Sequence, residues 1–335
     1  MNELWKLLKH GNKPSLLAAV VNTVIALLKG AGFLLTGNVA LFAETMHSFG
    51  DAANQYFVYA GSALSKKAPT PRFPNGFGRI VNLVCLFAVV VVGIMAYETI
   101  IEGWHHLLRP SASSGFWISF SILLASTLLE FSVLYKAGKE ILHDAGIDGG
   151  PLSPITKGFS NLKSARPATK LVFMEDTVAT AGGLLALVAV VLARFFGLGW
   201  TEGLASMLIG AMMFYVVGVV FLENARGAIG ETDEEMLKHI AYLVAEDPDV
   251  RDLQKVEVIK EGEALHVEII AEVEPTLSFA EVDDIRDRLL DIVTSQKNIA
   301  DVMISFDEDD GIRTFRRDGR LRGANPHPDI LKKMN

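Results

Sequence analysis

The stretch FAETMHSFGDAANQ, residues 42–55, decides how this chain is read. It lies between TGNVAL and YFVYAGSAL, which are apolar enough for a bilayer, yet it carries an acid, a histidine and a second acid. On a helix advancing about 100° per residue, His47 falls about 300° and Asp51 about 340° from Glu44, so the three share one stripe. His47 and Asp51 are also an i, i+4 pair, the spacing at which two side chains of one helix face reach a single ion. Charged groups at the bilayer centre cost about 2.5 to 3.5 kcal/mol each on insertion scales, so they face the bundle interior and mark ion paths. The plain alternative is a neutral histidine bonded to a carboxylate that only joins helices. Acids on the other apolar segments weigh toward metal or proton chemistry.

Outward from this stretch, half of the 335 residues are hydrophobic and only 21% are charged, which excludes an ordinary soluble two-domain protein. The composition fits an integral membrane protein with a water-facing part. Six segments, at about 14–36, 39–64, 79–107, 115–138, 171–197 and 202–223, approach the roughly 20 apolar residues that cross a bilayer core. The connections TGN and FFGLGW are short enough for tight helical hairpins. The basic start and the apolar run after it have the order of a signal peptide, but the run continues to LLKGAGFLLTG and is expected to stay as the first membrane helix. Lys6, Lys9 and Lys13, then Lys66, Lys67, Arg72 and Arg79, then Lys157, Lys163, Arg166 and Lys170 fall in alternate connections, against Arg109 and Arg194 in the others. Both termini are therefore expected in the cytoplasm. The single cysteine, Cys85, lies in an apolar run and reads as membrane packing.

After Gly230 the composition changes. Residues 231–310 carry 24 acidic against 7 basic side chains. TDEE (Thr232 to Glu235) and SFAE (Ser278 to Glu281) read as capping boxes. Each precedes apolar residues at helical spacing: Met236, Ile240 and Leu243, then Val282, Ile285, Leu289 and Ile292. Between them LQKVEVI and ALHVEIIAEV alternate as strands about the turn KEGE, and DVMISF is a third strand. The expected architecture is an α-helical membrane protein, a six-transmembrane-helix bundle followed by a small α+β cytoplasmic domain (αββαβ, metallochaperone-like). Its domains are 1–230 for transport, 231–310 as an acidic dimerisation domain, and 311–335 as a basic, flexible tail.

Other ionisable groups lie in or near the spans: Glu98, Glu102, Glu130, Glu175, Asp176 and Glu202. Glu102 and WHHLLRP read as an interfacial belt. Glu98 and Glu130 read as helix-to-helix hydrogen bonders or proton carriers. Adjacent Glu175 and Asp176 point about 100° apart, so only one can face the His47 stripe squarely. Ala179, Ala181, Gly182 and Gly183 follow them and admit a close helix neighbour. FPNGFGR (73–79) lacks the lysine and the strand-to-helix setting of a phosphate loop. With no nucleophile, base and orienting group in sight, an enzyme is not expected, nor an organic cofactor or a nucleic-acid partner.

These residues resemble the cation diffusion facilitator (cation efflux) family, zinc transporter 9 type, over about residues 14–308. The likeness is carried by TGNVALFAETMHSFGDAANQ, FPNGFGR, MEDTVATAGG and TEGLASMLIG with an acidic domain after them. It implies two ligand pairs, on the second and fifth helices, forming a tetrahedral metal site near the membrane midplane, with proton-coupled export and a homodimer. His47 and Asp51 fill the second-helix pair, and Glu175 stands where the first fifth-helix ligand is expected. Ala179 falls where an aspartate is expected, so one ligand is missing; Asp176, Glu44 or water are the candidates to replace it. Phe73 and Phe77 replace histidines of a peripheral loop site. In the acidic domain His239 and His266 remain, but VMISFDED stands where some relatives place a His-x-Asp pair.

The reading is proton-coupled export of a divalent cation by alternating access, with the metal and protons as partners in the bilayer. One imidazole among carboxylates suits zinc, and a richer oxygen share moves the preference toward manganese or iron. The alternative is a transport-inactive dimeric scaffold or regulator, motivated by Ala179. An intramembrane metal hydrolase lacks a water-activating constellation.

Overall fold

The computed structural model describes residues 7–9, 11–110, 114–147, 150–164, 167–262 and 264–314. The basic tail expected at 311–335 lies outside them beyond Thr314. The described residues form two compact units. One runs up to Leu64 and from Leu83 to Asn224; the other combines Ser65–Asn82 with the chain from Ala225 onward.

Six long helices make the first unit: α1 (Lys13–Thr36), α2 (Val39–Ser65), α3 (Ile80–Leu108), α4 (Phe116–Asp144), α5 (Pro167–Phe196) and α6 (Trp200–Ile229). Five are long and apolar enough to cross a membrane. The exception is α2, whose 27 residues suffice in length but whose polar stripe lowers its hydropathy. Asn12 caps α1, and Gly37 ends it in the left-handed region at φ 66°, donating its N–H to the Phe33 carbonyl. Asn38 then caps α2 by accepting from the Leu41 N–H at 2.8 Å. A two-residue hairpin thus hands the chain directly to the polar helix.

Small residues set how closely these helices approach. A Cβ on Gly103 would stand 2.7 Å from the Gly203 carbonyl, and one on Gly203 would stand 2.7 Å from the Gly103 carbonyl. The backbones of α3 and α6 touch there. The Ser206 hydroxyl donates to the Thr99 carbonyl across the same interface at 2.8 Å. The most extensive helix contact joins α4 and α5, where Gly183 makes room for Thr127. Gly182 does the same for Glu44 of α2, whose Oε1 would be 2.7 Å from an added Cβ. The close approach expected from the small residues of α5 is therefore present. Cys85 is packed inside α3's inner face at 4% exposure.

The second unit follows the αββαβ order: α7 (Glu234–Ala245), β1 (Asp252–Glu261), β2 (Ala264–Val273), α8 (Phe279–Thr294) and β3 (Ile299–Glu308). β2 is central, antiparallel to β1 and parallel to β3. Alternate strand residues such as Val258, Val267 and Ile269 meet Ile240, Val244 and Leu289 of the helices in one core. Ser278 makes the reciprocal capping box with Glu281. The other expected box is corrected by one residue: Asp233 caps α7, accepting from the Met236 N–H at 3.0 Å. Thr232 is drawn instead into a bridge with Ile259, which pulls its backbone out of the cap position. In α8 Ile285, Leu289 and Val293 are buried, with Ile292 only half-buried. The connection 65–82 packs within this unit, where Arg79 Nη2 lies 3.2 Å from Glu261 Oε1. The rings of Phe73 and Phe77 meet at a tilt of 52°, with centroids 5.1 Å apart.

Candidate metal centre

α2 supplies the first two donors. His47 is 5% exposed, and its Nε2 lies 3.5 Å from Asp51 Oδ2. That is an ion-pair distance, too long for a strong hydrogen bond. Nε2 has no hydrogen-bond partner among the described residues. The Asp51 side chain is 38% exposed, and it faces a cavity of about 30 Å³ that Asn54 and Glu175 also line. Val89, Val92 and Val217 form its apolar wall. The volume matches one or two water molecules, so a bare metal ion fits.

The two acids of α5 diverge as neighbouring helix positions must. Both lie in the electrostatic range of Asp51. Glu175 lines the cavity and senses Glu223 of α6. Asp176 senses His47 and Glu130, and its Oδ2 is buried without a partner among the described residues. Glu223, exposed on α6, escaped the sequence reading because nothing in its neighbourhood marks it. Ala179 is buried and offers no donor. Among the described residues, no group of three or more His, Cys, Asp and Glu is close enough to hold a metal ion. The structure joins His47 to Asp51 and brings Asp51 and Glu175 to one cavity, without closing the donors about a point.

Glu44 goes elsewhere. Its Oε2 is 2.7 Å from Lys29 Nζ of α1, and Glu130 Oε1 of α4 is 2.8 Å from the same ammonium. Lys29 and Glu44 are fully buried. The stripe shared by Glu44, His47 and Asp51 thus splits, its first member turned to α1 and α4. Sequence reasoning missed Lys29, although a lysine deep in an apolar span has to find acids. A further buried cluster joins the helix ends: Glu202 Oε1 accepts from Asn38 Nδ2 at 2.8 Å, and His106 Nε2 lies 3.8 Å from Glu202 Oε2. His106 is therefore packed inside, not part of an interfacial belt, whereas His105 and Glu102 are exposed. Glu98 is exposed on α3 as well.

In the C-terminal unit, His266 and Asp301 are register partners on β2 and β3, with Nδ1 2.9 Å from Oδ2. His239 Nε2 lies 3.0 Å from Gln296 Oε1. Neither histidine gathers two further donors among the described residues.

The mitochondrial proton-coupled zinc antiporter SLC30A9 of Mus musculus is 25% identical over 260 residues, 76% of this chain and 44% of the relative. Its Xenopus laevis counterpart is 25% identical over 343 residues, 96% of this chain and 60% of the relative. A probable cation efflux system protein of Mycobacterium tuberculosis is 25% identical over 268 residues, covering 79% of this chain and 74% of that protein. The chain spans about half the length of the vertebrate relatives. A family model described as the cation efflux transmembrane domain matches residues 15–227, which hold α2, α5 and the His47–Asp51 pair. A match over most of the chain, centred on the helices that carry the imidazole and the acids, establishes that this chain belongs to the cation efflux family.

Proposed function

We propose that the chain exports a divalent cation across a membrane in exchange for protons, by alternating access, with His47, Asp51 and Glu175 as donors and Asp176 completing the set. The observation that carries this is Asp51, which stands 3.5 Å from the His47 imidazole and also faces the cavity lined by Glu175. Metal binding needs a neutral imidazole and ionised carboxylates, so metal and protons compete for the same groups. That competition is the chemical root of antiport. Zinc is the favoured cargo, supported by relatives named as zinc transporters. Manganese and iron suit the oxygen-rich donors. Both termini face the cytoplasm, and the acidic C-terminal unit pairs two copies.

The test uses purified chain in proteoliposomes under a pH gradient, with zinc and manganese followed separately. Metal flux that vanishes in His47→Ala and Asp51→Ala supports the reading. Flux that survives both substitutions moves the site elsewhere. No flux with any metal favours the transport-inactive scaffold, for which Ala179 at the expected ligand position is the specific observation.

A further inference from the structure

The Lys29–Glu44–Glu130 cluster is not used by the metal centre, and its chemistry is unusual for an inert fastener. One ammonium holds one oxygen of each carboxylate, at 2.7 and 2.8 Å. The other two oxygens, Glu44 Oε1 and Glu130 Oε2, are buried without a hydrogen-bond partner among the described residues. With all three groups ionised the cluster carries a net charge of −1 inside a helix bundle. A fastener built for stability would pair one acid with one base and satisfy every oxygen, since a lone buried charge is strongly unfavourable. A single proton on either bare oxygen cancels the excess charge without disturbing the contacts to Lys29.

The surroundings match a site that gains and loses a small cation. Gly182 of α5 lets Glu44 Oε1 sit against the helix backbone, where an added Cβ would stand 2.7 Å from that oxygen. Thr127, three residues before Glu130 on the same face of α4, has a buried hydroxyl with no partner among the described residues. The charged groups facing the cluster are His47 and Asp51 on α2 and Asp176 on α5; Glu130 is in electrostatic range of His47 and Asp176. Asp176 in turn senses Asp51. A divalent ion arriving between those residues therefore raises the local potential at Glu130 and expels a proton from it.

We propose that the Lys29–Glu44–Glu130 triad is a proton-binding site separate from the metal pocket, which holds one proton in the metal-free state and releases it when metal loads. The step is a simple exchange: the carboxylic O–H breaks, the proton leaves to water, and the triad returns from zero to −1 beside the new positive charge. This deepens the proposed function and rests on it.

The experiment titrates zinc into the purified full chain in buffers of different ionisation enthalpy, giving protons displaced per zinc. Wild-type chain is expected to displace more than Glu130→Gln by about one proton per metal, while the variant still binds zinc. Glu44→Gln, the mirror substitution, shows the same shortfall and serves if Glu130→Gln does not fold. In the unmodified chain, infrared difference spectra on zinc addition should lose a protonated-carboxyl band. Full proton displacement in the variants, or no loss of that band in wild type, overturns the triad as a proton site. A wild-type chain that displaces no proton on binding zinc instead overturns the antiport reading itself.

Discussion

His47 presents a buried nitrogen with no hydrogen-bond donor or acceptor satisfied among the described residues, 3.5 Å from one carboxylate. An apolar residue would pack there at no polar penalty, so the unpartnered imidazole is the group that the proposed cation would satisfy. The two acids of α5 provide a finer test. Asp176→Asn and Glu175→Gln keep shape and remove charge; if both complete the donor set, each lowers zinc affinity by roughly 10- to 100-fold. Competition binding against a zinc dye reads this, and an unchanged affinity in either variant removes that residue from the set. The pair His47 and Asp51 was legible from spacing alone, because an i, i+4 contact needs only one helix. The fate of Glu44 was not, because its partners Lys29 and Glu130 lie 15 and 86 residues away in sequence, and only packing brings them together.

At the scale of elements, span boundaries followed from apolar length, and five helices satisfy that criterion outright. α2 falls short of it, since its polar stripe makes it less oily. The glycine contact between α3 and α6 predicts that Gly203→Val destabilises the bundle by about 3 kcal/mol, the upper range for overpacking. Thermal unfolding in detergent should register this as a lowered midpoint, and an unaltered midpoint would mean the helices have slack there. In the C-terminal unit, Asp233→Ala should loosen the first turn of α7 by about 1 kcal/mol. Thr232→Ala should leave that turn intact, a contrast that hydrogen exchange at Met236 can resolve. A sequence window of four residues could not choose between these caps, because the choice is made by a bridge to Ile259 in a strand 27 residues on.

For the molecule as a whole, two buried acids of the C-terminal unit respond to pH with opposite sign. The hydrogen bonds from Arg288 hold Asp247 below the usual carboxylate range. Its contribution is therefore complete above the unfolded value of about 3.9 and is lost as pH falls through the folded one. Burial first, then Asp252, Asp310 and Asp309, push Glu272 up. It costs stability once pH rises above the unfolded value of about 4.3, and the cost is complete above the raised folded one. Hence Glu272→Gln should stabilise this unit by about 1 kcal/mol at neutral pH and have no effect in acid. Arg288→Ala should destabilise it by about 1 kcal/mol at neutral pH, the exposed guanidinium being partly screened, and flatten its acid dependence. Hydrogen exchange on the intact chain across pH reads both, and equal responses at pH 7 and pH 3 would contradict the assignment. Because Cys85 is the sole thiol in the sequence and is shielded within α3, spectroscopic reporters attached at newly introduced surface cysteines, for example at Phe279, would meet little background labelling, so opening of either unit can be followed by distance measurements in the otherwise native chain.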